Sequence, residues 1–71
     1  MIYNKYLEQY IERLEINNET REILKENNIV KLGELCQKSR KELTEMGINT
    51  NIAKDIELQV QFLGLNLKNS L

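Results

Sequence analysis

Histidine and proline are missing from this 71-residue chain, cysteine occurs once, and glycine three times. With Cys36 as the sole thiol and no imidazole, an intramolecular disulfide is excluded and a zinc site has no ordinary ligand set within one chain. A reduced, cytoplasmic setting follows as the expectation. No serine or cysteine has a base beside it, and the carboxylates are spread along exposed helical faces, so the chain is not expected to be an enzyme. No catalytic, cofactor-binding or metal-binding residue is assigned, and no cofactor is expected. Cys36 itself falls on the apolar side of its segment and reads as a small hydrophobe.

Neither sign of charge prevails. Ten basic residues face eleven acidic ones, for a net charge of -1, which gives no whole-molecule attraction to nucleic acid or to an anionic membrane. Long apolar runs are missing too. The opening MIYNKYLEQY carries charge at its fifth residue and lacks the apolar stretch of about 7–15 residues that a signal peptide needs. Nothing is long and apolar enough to span a bilayer, so a soluble protein is expected. There is no repeat, proline-rich linker or low-complexity segment.

What is there reads as one all-α domain, residues 1–71, near the size where a single core only just suffices. Tyr3, Leu7, Tyr10, Ile11 and Leu14 recur at helical spacing, with Tyr6 at the border and Lys5, Glu8, Gln9 and Glu12 opposite. The pattern predicts an amphipathic N-terminal helix over residues 1–13. Its stripe packs either on the chain's own core or on a partner. Asn17 or Asn18 can cap the next helix, whose positive end suits Glu19 and Glu22.

Asn27 and Asn28 mark its end, because asparagine tolerates the left-handed conformation. Ile29 then points inward. Leu32, Leu35 and Cys36 open a further helical face, with Gly33 allowing close backbone approach. Ser39 and Glu42 have the capping-box spacing that starts another helix near Arg40. Gly47 breaks it, and Asn49 or Thr50 caps the last helix. Ile52, Ala53, Ile56, Val60 and Leu63 form one face of that helix, Leu58 and Phe62 lie on another, and Gly64 is its stop. Ile16, Ile23, Leu24, Ile29, Leu32, Leu35, Leu43, Ile48, Ile56 and Val60 are the expected core.

The stretch LKENNIVKLGELCQKSRKEL, Leu24 to Leu43, resembles the C-terminal domain of the bacterial RNA polymerase alpha subunit. The shared positions are Leu24-Lys25, Ile29, Leu32-Gly33-Glu34-Leu35, Gln37-Lys38-Ser39 and Glu42-Leu43. The likeness continues, with one deletion near Thr44, to Gly64-Leu65-Asn66-Leu67, and covers about residues 14–67; residues 68–71 form a tail. It implies a compact bundle of four or five short helices, and the turn at Gly47 resembles a helix-hairpin-helix. Beginning with Met1 and without a polymerase assembly domain, the chain is expected to be a free-standing relative.

The family's DNA contacts do not carry over. Its minor-groove arginine corresponds to Glu19, and its asparagine three residues later to Glu22. Its Gly-Lys-Lys-Ser phosphate-contacting turn corresponds to Asn49-Thr50-Asn51-Ile52. Exchanging a minor-groove cation for Glu19 turns attraction into repulsion, and losing the turn lysines removes phosphate contacts that supply non-specific affinity. Leu58 and Phe62, by contrast, stand where the family usually carries polar residues.

The resemblance therefore implies a transcription-associated protein-interaction module, with RNA polymerase, a sigma factor or a regulator as partner. Tyr3, Leu7, Tyr10, Leu58 and Phe62 are the candidate partner-binding residues. A homodimer is a further form of partnership, since the first helix can cover Leu58 and Phe62 either within its own chain or across to a second copy. The alternative is a DNA-binding helix-hairpin-helix-like domain using Lys38, Arg40, Lys41, Asn49 and Asn51. A second alternative is an accessory domain of an unrelated assembly.

Overall fold

The computed structural model describes residues 4–70, and within them the chain is mostly helical with no strand. Two 3-10 turns, Lys5–Glu8 and Ile11–Arg13, precede helices α1 (Asn18–Glu26), α2 (Leu32–Leu35), α3 (Arg40–Glu45) and α4 (Thr50–Phe62). Asn17 starts α1 by accepting from the Thr20 N–H at 2.7 Å. The capping box at α3 is complete: Glu42 N–H donates to Ser39 Oγ at 3.1 Å, and Ser39 N–H to Glu42 Oε1 at 2.9 Å. Asn49 caps α4 through the Asn51 N–H.

Helices α1, α3 and α4 share one ending. Asn28, Gly47 and Gly64 each take a positive φ just beyond the helix. The next residue, Ile29, Ile48 or Leu65, then donates its N–H back to Leu24, Leu43 or Val60 respectively. This is the six-to-one hydrogen bond of a Schellman motif. All six of those apolar residues are buried. Each of these helix stops therefore also drives a side chain into the core, which all four helices share.

That core contains Leu24, Ile29, Leu32, Leu35, Leu43, Ile48, Ile56 and Val60 as expected, whereas Ile16 and Ile23 are only half-buried against it. Ile11, Leu14, Ala53, Leu65 and Leu67 complete it. The final residues fold back as well: Lys68 N–H donates to the Lys38 carbonyl at 3.0 Å, and Gln61 Nε2 to Ser70 Oγ at 3.2 Å.

The N-terminal segment departs from the expected α-helix. Gln9 and Tyr10 are extended between the two 3-10 turns. Ile11 N–H donates to the Val30 carbonyl at 2.9 Å and Leu32 N–H to the Gln9 carbonyl at 2.8 Å, forming an isolated antiparallel bridge between Tyr10 and Lys31. A continuous helix would need those two backbone groups for its own ladder. Here they tie the N-terminal segment to the α1–α2 connection instead. The first 3-10 turn packs on α2, where a Cβ on Gly33 would stand 3.0 Å from the Leu7 carbonyl oxygen.

Candidate protein-binding surface

Helix α4 buries Ala53, Ile56 and Val60. At 3.6 residues per turn, Leu58 is rotated by about 200° from both Ile56 and Val60, and Phe62 by about 200° from Val60. Both therefore face away from the core. Leu58 is 53 % exposed and Phe62 86 %, so the described residues of the N-terminal segment do not cover them within the chain.

It runs alongside instead. Gln59 clamps it to α4: its Oε1 accepts from Glu15 N–H at 2.8 Å, and its Nε2 donates to the Glu15 carbonyl at 2.9 Å. The same Nε2 lies 2.8 Å from Asp55 Oδ2. Further along, Asn4 Nδ2 donates to the Leu63 carbonyl at 3.0 Å. Between these ties lies an open cleft lined by Arg13, Leu14, Gln59, Phe62 and Leu63. The Arg13 guanidinium lies 4.6 Å from the centre of the Tyr6 ring, within the range for a cation–π contact. Among the described residues Arg13 makes no salt bridge.

Of the residues singled out for partner binding, only Leu58 and Phe62 adjoin on one exposed face. Leu7 is half-buried, with its backbone against Gly33. Tyr10 is 57 % exposed, but its backbone is bridged to Lys31 and its ring lies near the Lys31 ammonium. Tyr3 lies outside the described residues. Arg13, Leu14 and Gln59 were not visible in the sequence as lining residues. Read as part of a helix, Leu14 belonged to an apolar stripe and Arg13 to no site.

The basic residues are distributed differently. Arg40, in the first turn of α3, pairs with Glu57 at 3.5 Å, more than halfway along α4. The start of α3 therefore lies beside the C-terminal half of α4, whereas Asn49 and Asn51 lie roughly 10 Å of helix away from Glu57, at the N-terminal end of α4. Arg40 is thus drawn toward Glu57, away from Asn49 and Asn51. Lys68 also approaches Glu42 at 3.7 Å, so carboxylates interleave with the basic group. Glu19 and Glu22 are exposed on α1.

The titratable groups do structural work. Glu34 accepts from the Lys31 and Val30 N–H groups at 2.8 and 2.9 Å, and these hydrogen bonds hold its carboxyl below the usual range. Glu42 is lowered chiefly by the Ser39 N–H, helped by Lys68. Glu12 is lowered by its 2.9 Å contact with Lys25. Burial pushes the half-buried Cys36 thiol up, which disfavours the reactive thiolate. Among the described residues no group of three His, Cys, Asp or Glu side chains is placed to hold a metal ion, and no helix is long and apolar enough to cross a membrane.

Comparison with protein-family models, with curated proteins and with solved structures finds no match.

Proposed function

We propose that this chain is a protein-interaction domain that binds through the outer face of α4 and has little affinity for DNA. One observation carries the proposal: Phe62 is 86 % exposed beside Leu58 at 53 %, on the face of the longest helix that points away from the core. Adjoining exposed apolar side chains there add little to the fold and mark a contact surface, and Phe62 also lines the neighbouring cleft. The resemblance to the polymerase alpha C-terminal domain supports transcription as the setting, with polymerase, a sigma factor or a regulator as partner. Glu19 and Glu22 weigh against DNA as the ligand.

Titration with AT-rich duplex DNA at low salt tests the DNA half of the proposal, because electrostatic binding is strongest there. No binding at micromolar concentrations is expected. Micromolar binding weakened by Lys38→Glu or Arg40→Glu would favour the DNA-binding reading instead. Affinity capture from the native cell tests the other half. Transcription proteins retained by the parent chain and lost with Phe62→Asp are expected, whereas an unrelated complex would favour the accessory-domain reading.

A further inference from the structure

Building on the outer α4 face as a protein-binding surface, we propose that in the isolated protein, with no other partner present, this face is occupied by a second copy of the chain, with the two α4 helices packed antiparallel across a two-fold axis. A two-fold interface must be self-complementary, each copy presenting both halves of every contact. This face meets that condition in shape and in charge. Leu58 and Phe62 are one helical turn apart, so an axis between them sets Leu58 of each copy against Phe62 of the other.

The charges lie at opposite ends of this apolar pair. Arg13 lines the cleft beside Phe62 and Leu63 and has no carboxylate partner among the described residues. Asp55 precedes Leu58 on the cleft side, where Gln59 holds its Oδ2. Antiparallel packing brings Asp55 of the second copy to within about one turn, roughly 5 Å along the axis, of Arg13. Like charges stay apart, because the two Asp55 residues are about 15 Å from each other along the helices, beyond the screening length of about 10 Å at 0.1 M salt. The Arg13–Tyr6 contact holds the cation at the rim before the second copy arrives.

With two apolar side chains and one charged rim pair per copy, the interface belongs to the small, weak class, and half-association near about 100 µM is expected. Sedimentation equilibrium from about 10 µM to about 1 mM spans that range. The parent chain is expected to pass from monomer to dimer, while Phe62→Asp, and independently Leu58→Asp, stays monomeric with an unchanged melting temperature. Arg13→Asp and Asp55→Arg should each weaken association by about two- to five-fold. The chain carrying both should recover it.

A parent chain that remains monomeric throughout overturns the dimer. If Phe62→Asp then still abolishes capture of another protein, the protein-binding reading stands without it, and if capture is unchanged both fall. A dimer that Phe62→Asp abolishes but the paired charge reversal does not restore rules out the antiparallel arrangement.

Discussion

Gly33 and Leu7 meet across the joint between the N-terminal segment and α2, where a Cβ at position 33 would stand 3.0 Å from the Leu7 carbonyl oxygen. The obstacle is backbone, and that backbone is fixed close by through the bonds from Ile11 to Val30 and from Leu32 to Gln9. Gly33→Ala is expected to gain helix propensity, at most about 1 kcal/mol. Against this, overpacking costs about 1–3 kcal/mol. A net loss of about 1 kcal/mol, read as a melting temperature lower by about 4–8 °C, is the expected outcome. An unchanged or higher melting temperature would show that the joint yields easily.

The same joint explains where sequence reading stopped. Ser39 with Glu42 was legible as a cap, Asn17 and Asn49 each as one of two adjacent candidates, and Asn27-Asn28, Gly47 and Gly64 as stops, because each acts on backbone within a few residues. The N-terminal segment satisfied a 3.6-residue pattern equally well, yet its backbone is claimed by Val30 and Leu32, about twenty residues away. Periodicity carries no information about such a claim. Ile11 and Leu14 do pack on the chain's own core, one of the two places expected for their stripe, but from a bridged segment and not from a continuous helix. Glu34 was the missed local signal, since it stands three residues after Lys31 and reaches back to that residue's N–H, as an N3 acid does. In the candidate site, Leu58 and Phe62 were legible as a second face of α4, but the cleft was not. It depends on Gln59 holding Glu15, 44 residues away.

Leu35 and Ile56 are fully buried, whereas Phe62 is the most exposed of the large apolar side chains noted above. Truncation of Leu35 or Ile56 to Ala is expected to cost about 2–5 kcal/mol, a large share of the stability of so small a domain. Phe62→Asp should leave the melting temperature nearly unchanged. Thermal unfolding of the three variants checks the division between core and surface. A Leu35→Ala or Ile56→Ala chain melting with the parent would place the core elsewhere.

Glu34 and Glu42 make stability depend on pH in one direction. Hydrogen bonds from backbone N–H groups make each carboxyl more acidic in the folded chain than its ordinary value of 4.5, so below that value the unfolded chain takes up protons first. The stabilisation is complete above the ordinary value and is lost as pH falls through the lower, folded value. Urea denaturation at a series of acidic pH values should show a declining midpoint, and the decline should be shallower in Glu34→Gln and Glu42→Gln. Equal slopes in parent and variants would assign the acid sensitivity to other groups.

A residue-by-residue amide map, recorded by NMR on the full chain, tests most directly the claim that the outer face of α4 binds protein rather than DNA. Raising the protein concentration should shift the signals of Asp55 to Leu63 together with those around Arg13. Adding AT-rich duplex DNA at low salt should leave the spectrum in place. Concentration-independent signals along α4, with DNA-induced shifts centred on Lys38, Arg40 and Lys41, would contradict it.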